Sequence, residues 1–508
     1  MTSESSARTN NDRPLAVVIL AAGLGTRMRS ELPKVLHPVC GRPLLSYVLD
    51  AALDVAPERI VVVTGPDQDV VAAILTQGCE RAIQRERRGS GDALQAGMKP
   101  LAQFAGDVMV LVGDAPLLDG DFAQALLAHH RASGAAATLT SVAADDPARY
   151  GRVVRDESGR VARIVEYKDA TPLEREIDEI NVGAYVFDAA ALRAMLPRLT
   201  ADNAQGELYL TDLVHLLLAA DAAVSAFVTR DPEVYLAVNS RVELAAVTAV
   251  MRRRLLERLM LAGVTIDDPA STYVDFGVEV GRDSVIRANT HLLGRTTIGD
   301  ASEVGPGTLL QDASVGDRAR VVSSHCRECV IGANCNVGPF AHIRPGTVLA
   351  EGVKVGAFVE IKNSRIGEGS KVPHLSYVGD AVIGRDTNIG CGNITANYDG
   401  FDKHVTTIGD HVHTGSDTVF VAPVSVGDDA YTAAGSVVTQ DVPAGALAAG
   451  RARQENRLGY AEYLRQRKER EAAARACGKG AGDDAGKGAN AARSAGAGRG
   501  KNADKERR

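Results

Sequence analysis

An apolar run ends in Leu20-Ala21-Ala22-Gly23-Leu24-Gly25-Thr26-Arg27-Met28, and Pro33-Lys34 follows closely. A glycine-rich turn after a strand leaves backbone N–H groups able to wrap a phosphate, with Arg27 and Lys34 as cationic partners. The pattern is not the dinucleotide fingerprint, because Met28 stands where a third glycine belongs, and no Gly-Lys-Ser/Thr follows to make a P-loop. Taken alone it is equally a structural turn with two solvated cations. Val112-Gly113-Asp114 places a carboxylate after a second apolar run, where open α/β sheets bind ligands. His374 offers an imidazole whose ordinary pKa of about 6.5 lets it take a proton at neutral pH, although a lone histidine is more often structural. Cys326-x-x-Cys329, Cys335 and His325 have the residue types of a zinc site.

These residues need elements to hold them. Residues 14–240 alternate apolar strand candidates (PLAVVILAAG, RIVVVTG, DVMVLVGDAPLL, ATLTSVA, RIVEY, VGAYVFD) with helical stretches such as DFAQALLAHHRAS. That alternation predicts a Rossmann-like α/β domain with a mostly parallel, doubly wound sheet. Residues 241–263 read as a linker helix, with Leu244, Val247, Met251, Leu255 and Leu259 in one stripe and Arg252, Arg253, Arg254 and Arg258 mostly off it.

Beyond it, aliphatics recur every six positions. Val280, Ile286, Leu292, Ile298, Val304 and Leu310 form one series, and Ile331, Val337, Ile343, Leu349, Val355 and Ile361 a second. Ile408, Thr414, Phe420, Val426, Thr432 and Val438 form a third. Neither a helix nor a hairpin sheet demands that spacing, but a triangular prism with one short strand per face does. Hexapeptide repeats resemble the left-handed parallel β-helix of acyltransferases, here expected over 264–460, with the coil itself from about Val274 to Ala448. Cys329 and Cys335 each lie two positions before a coil aliphatic, so alternation turns them inward and favours packing over zinc. The register breaks around 362–377 and again over 393–407, and such breaks in solenoids map to loops. Residues 1–13 and the Lys/Arg/Ala/Gly-rich stretch 461–508 are expected to be disordered.

With 508 residues, 45% apolar content and 24% charged content, the chain is long enough for two or more soluble domains. A net charge of −7 gives no bias toward nucleic acid or membranes. The absence of a span-length apolar run or a signal-like start predicts a cytoplasmic enzyme.

The combination LAAGxGTRM…PK with Val112-Gly113-Asp114 resembles the nucleotidyltransferases that join NTPs to sugar phosphates. Asn203-Ala204-Gln205-Gly206-Glu207-Leu208-Tyr209-Leu210-Thr211-Asp212 and Val238-Asn239-Ser240-Arg241 narrow the resemblance. They look like the bacterial bifunctional N-acetylglucosamine-1-phosphate uridylyltransferase / glucosamine-1-phosphate N-acetyltransferase family, over about residues 15–460. The resemblance implies that Asp114 and Asn239 hold Mg2+, a hard cation suited to oxygen ligands. It places Leu20, Ala21, Gly23, Lys34, Gln84, Gly89, Ser90 and Asn239 on UTP, and Gly151, Glu166 and Asn181 on the N-acetylated sugar. Arg27 and Lys34 would neutralise charge during uridylyl transfer.

In the C-terminal half it implies that His374 is the acetyl-transfer base. Arg344, Lys362, Tyr377, Asn388, Asn397, Tyr398 and Lys403 would hold glucosamine 1-phosphate. Cys391, Asn397, Tyr398, Ser416, Ala434 and Arg451 would hold acetyl-CoA, with Cys391 not required as a nucleophile. A homotrimer through the β-helix, and a role in supplying UDP-N-acetylglucosamine for peptidoglycan and other cell-wall precursors, come with the family. Two departures stand out. Ser90 and Asp92 replace the family's usual threonine and histidine, and the C-terminal tryptophan is missing, with Tyr460 as its nearest substitute. A single-activity pyrophosphorylase with a vestigial coil, or a coil serving only as a scaffold, are the rival readings; neither explains Arg344, Lys362, His374, Asn397 and Lys403 occurring together.

Overall fold

Continuous apolar runs can be buried on both faces only inside a covered sheet, and the α/β domain is built that way. The computed structural model describes residues 13–479 apart from 77 and 148; the disorder expected of 1–12 and 480–508 lies outside the described residues. In chain order the domain holds β1 Leu15–Leu20, α1 Leu44–Asp54, β2 Arg59–Thr64, β3 Cys79–Ile83, α2 Ser90–Met98 and β4 Asp107–Val112. It continues with α3 Gly120–Ser133, β5 Ala137–Ala143, β6 Arg152–Arg155, β7 Val161–Val165, β8 Glu179–Asp188 and β9 Val224–Val228. The sheet order is β9-β5-β8-β4-β1-β2-β3, with β6 pairing off β8 and β7 pairing β6. All pairings along the main path are parallel except those of β8, which runs antiparallel to both β4 and β5. The order reverses at β1, and the carboxyl ends of β1 and β4 lie side by side there, with Leu20 paired to Val112.

Ser240 starts α4 (Arg241–Leu261) by accepting a hydrogen bond from the Glu243 N–H, while the Glu243 carboxylate accepts from the Asn239 N–H at 2.7 Å. This reciprocal capping fixes the backbone entering the helix. Val247, Met251, Leu255, Leu256 and Leu259 are buried in a core shared with Val39, Leu44 and Tyr47 of the α/β domain and Val264, Ile266 and Val274 of the first coil. The helix is thus packed between both, rather than a bare connector.

The six-residue period becomes three faces, of 7, 10 and 9 parallel strands. Val280 stacks on Ile298, Ile286 on Val304 and Leu292 on Leu310, each pairing one residue per face with its equivalent one coil later. Each such buried aliphatic contributes roughly 1.5–3 kcal/mol. Cys326 occupies one of these inward slots, between Leu310 and Ile343, and Cys329 and Cys335 are buried beside it. The three thiols pack the prism, as alternation predicts for the latter two.

The break around 362–377 is not an inserted loop. Lys362 and Arg365–Ile366, then Lys371–His374 and Tyr377, continue the faces in register, with Leu349 on Ile366 and Val355 on Val372. One residue is dropped between Ile361 and Ile366, and a shortened corner shifts a counted period just as an insertion does. The second break is a true insertion. Ile383 stacks directly on Ile408 although the chain between them makes an excursion closed by a Tyr398–Lys403 bridge and a His404 N–H to Asn397 carbonyl bond of 2.8 Å. Asp399 caps that loop, accepting from the Phe401 and Asp402 N–H groups, both at 2.8 Å.

At one corner Phe340 and Phe358 stack on successive coils, with ring centroids 5.5 Å apart and both more than half exposed, and Leu375 continues the column. The tail departs from expectation. Residues Tyr460–Lys479 form α5, where disorder was expected beyond 460. Ala, Glu, Arg and Lys are strong helix formers, and an Arg467–Glu471 pair one turn apart adds to them, so local propensity gives an exposed helix without an apolar face. The chain divides into two compact units, one ending at Gly450 and one beginning at Arg451. Among the described residues no helix is long and apolar enough to cross a membrane.

Candidate active sites

The turn after β1 depends on Gly25. Its φ of +61° is left-handed, and a Cβ there would sit 2.7 Å from the Lys34 Cβ. Glycine therefore lets the loop close over Lys34. The lysine ammonium bonds the Asp114 carboxylate and lies 3.1 Å from Asn239 Oδ1. Asp114 is carried by the end of β4, and its carbonyl accepts from the Val238 N–H at 2.9 Å, tying it to the segment that bears Asn239. Three separate loops thus bring one cation and two oxygen donors to a point. A carboxylate and an amide oxygen converging on a positive atom are a donor set that fits a hard divalent cation.

Around this point lies a cleft of about 440 Å³ lined by Leu20, Ala21, Gly23, Gly25, Lys34, Gln84, Arg87, Gly89, Ser90, Asp114 and Glu207, among others. Every residue expected on the nucleotide therefore faces it or its cation point. Arg27 stays exposed in the turn Thr26–Met28. Arg87 and Glu207 also line the cleft, although no role was read for either from the motifs. Arg87 donates to the Ala22 carbonyl at 2.9 Å and pairs with Asp67, so its contacts are long-range and leave no sequence signature. The segment 203–212 closes the far wall: Leu208 N–H donates to the Arg88 carbonyl, and Leu210 N–H to Ser90 Oγ at 3.0 Å. Gly89 is required there, since a Cβ would meet the Leu208 carbonyl at 2.5 Å.

Gly151, Glu166 and Asn181 gather on the β6–β8 side. The Asn181 N–H donates to the Gly151 carbonyl at 2.9 Å, and Glu166 accepts from the Thr211 hydroxyl at 3.1 Å. Burial pushes the Glu166 carboxyl up from its ordinary range, with Asp212, Asp169 and Glu207 adding to the rise and the Thr211 bond opposing it.

On the β-helix the expected residues fall on two edges of one face. Arg344, Lys362 and Gly379 follow one another on successive coils where that face ends. Arg344 pairs with Glu360 at 2.6 Å, and Glu360 lies beside Tyr377 in the ladder. Asp380, which the sequence did not single out, is the hub of this edge. It accepts from Asn363 at 2.6 Å and from Asn397, with Lys362 at 3.9 Å. Burial alone would raise its carboxyl, but those bonds and the Lys362 and Lys403 charges hold it below the usual range. The Lys362 ammonium in turn lowers Lys403.

His374, Cys391, Ser416 and Ala434 form a second column at the corner where the face begins. The Gly392 N–H donates to the His374 carbonyl, Asp417 to that of Cys391 and Gly435 to that of Ser416. Asn388 sits just before it, bridged to Lys371 and His413. The width of a face separates His374 from Lys362, roughly 10–15 Å of extended chain. Within one chain the histidine and the two phosphate-suited cations thus stand at opposite edges of that face. Tyr398 is exposed on the inserted loop, and Arg451 belongs to the second unit.

A nucleotide-type cleft at the switch point of an α/β sheet, joined to a left-handed β-helix, defines a two-domain transferase of the nucleotidyl- and acyltransferase class. Residues 17–260 match the MobA-like NTP transferase domain, and residues 269–357 and 325–428 match the GMPPB C-terminal domain. The bifunctional protein GlmU of Mycolicibacterium vanbaalenii is 51% identical over 456 residues, covering 88% of this chain and 93% of that protein. That of Nocardia farcinica is 51% identical over 451 residues (87% and 91%), and that of Mycobacterium tuberculosis 50% over 449 (87% and 91%). The chain belongs to the bifunctional GlmU family.

Proposed function

We propose that the chain makes UDP-N-acetylglucosamine by two transfers at two separate sites. In the first, the amine of glucosamine 1-phosphate attacks the thioester carbonyl of acetyl-CoA; a C–N bond forms, the C–S bond breaks and coenzyme A leaves. His374 takes the amine proton, Arg344 and Lys362 hold the sugar phosphate, and Ser416 stabilises the oxyanion. Tyr377, Asn388, Asn397, Tyr398 and Lys403 surround the acceptor, and Cys391 and Ala434 flank the cofactor. The chain acts as a homotrimer through its β-helix, and the two edges of the face then meet across a subunit boundary.

In the second transfer, a phosphate oxygen of N-acetylglucosamine 1-phosphate attacks the α-phosphorus of UTP and pyrophosphate departs. Lys34 and Arg27 offset charge on the phosphates, and the Gly23–Gly25 turn wraps them. Gln84, Gly89 and Ser90 hold the base, while Gly151, Glu166 and Asn181 hold the sugar. Asp114 and Asn239 would hold Mg2+, which when bound neutralises phosphate oxygens.

The convergence of Lys34, Asp114 and Asn239 from three loops is the observation that carries the uridylyl site. The purified chain should release coenzyme A from acetyl-CoA plus glucosamine 1-phosphate, and pyrophosphate from UTP plus N-acetylglucosamine 1-phosphate. No thiol release would remove the acetyltransferase half.

A further inference from the structure

Gln84 leaves the end of β3 almost wholly buried, at 4% exposure, yet it lines the nucleotide cleft. Its side-chain nitrogen donates to the Gly89 carbonyl at 3.0 Å and to Asp92 Oδ2 at 2.8 Å. A primary amide has two N–H donors, so both are used. Among the described residues none donates to its Oε1. Amide orientation is ordinarily ambiguous, but a carbonyl and a carboxylate can only accept. Turning this amide over would set its oxygen against two others. The carboxylate is in turn held by Arg88, whose Nη2 donates to Asp92 Oδ1 at 2.9 Å. It also sits in the first turn of α2, where the helix dipole favours negative charge.

We propose that Asp92 is a specificity-determining positioning residue: it locks Gln84 so that the cleft offers the base only an acceptor, selecting a pyrimidine that carries an imide N–H. The proposal rests on the uridylyltransferase reading and deepens it. Uracil presents N3–H as a donor to Gln84 Oε1. Cytosine presents an N3 lone pair in the same place, and two acceptors facing each other in a desolvated site are strongly disfavoured. With an uncharged partner at position 92 that can donate as well as accept, only the Gly89 carbonyl still opposes turning the amide, and the discrimination weakens.

The test uses the full chain and pyrophosphate release with UTP and with CTP. In Asp92→Asn the UTP-to-CTP ratio of kcat/KM should fall about tenfold or more, the size of one good hydrogen bond in a dry site, mainly through a higher KM for UTP. Coenzyme A release from acetyl-CoA and glucosamine 1-phosphate should stay at the wild-type rate and reports that the chain is folded. Should the asparagine variant fold poorly, Asp92→Ser carries the same expectation and its ratio decides. Equal losses with both nucleotides, leaving the ratio within about twofold, would overturn the proposal and leave Asp92 a packing residue. A wild-type chain that releases no pyrophosphate from UTP would instead remove the uridylyltransferase reading beneath it.

Discussion

The α/β domain and the β-helix build their sites by opposite means. In the first, loops distant in sequence cross at a switch point, and Lys34, Asp114 and Asn239 meet inside one chain. In the second, position is set by repetition: a side chain's coil and corner fix its place, and His374 stands at the opposite edge of the face from Arg344 and Lys362. Irregular loops close a site within one chain, whereas a prism spreads its candidate residues along its edges.

The widest separation between the two regions comes from single substitutions. His374→Ala should lower acetylation by about 10²–10⁴-fold while pyrophosphate release persists, and Asp114→Ala should do the reverse. Equal loss of both activities in either variant would contradict independent sites. A mixing experiment then sharpens the claim about edges. His374→Ala and Lys362→Ala chains should each be nearly inactive in acetylation, yet co-expression should restore about a quarter of wild-type activity if each site draws one edge from each of two neighbours. Mixed trimers no better than the separate variants would place both groups in one chain.

Smaller effects test the loop-built site. Gly25→Ala imposes a left-handed residue costing about 1–2 kcal/mol and drives a methyl into Lys34, so uridylyl kcat/KM should fall about tenfold with a lower Tm and normal acetylation. Glu166→Gln should show the least change in Tm, and in the opposite direction. Its carboxyl is raised in the fold, so its favourable contribution is complete below the unfolded carboxyl pKa and is lost as pH rises through the raised value. At neutral pH the glutamine variant should therefore melt about 2 °C higher, the gain vanishing in acid, while uridylyl transfer slows.

The prism was legible because each face takes one inward residue per strand; the period slips near Cys326 and Thr395, which also turn inward but stand in none of the three series. The strands of the α/β core were legible as apolar runs. The edge strands β3 and β9, and β6 beside the main path, were not: CERAI and VSAFV lie mostly half-exposed and RVVR is flanked by charges. The direction of β8 also escaped, since an apolar run carries no sign of its polarity. Within the sites, motif residues could be read because their types suit phosphate or proton transfer. Asp380 and Arg87 could not, as their contacts come from partners that only folding brings close; Asp92 stood out as a departure, but its bond to Gln84 did not.

The excursion between Asn397 and Val405 leaves Ile383 stacked on Ile408 as if nothing intervened. Such a segment behaves as a cassette. Its length and composition can be exchanged, or a foreign loop grafted in its place, without shifting the phase of any later rung. Tyr398 and Lys403 ride on it, their backbones bridged to each other and not to the rungs on either side.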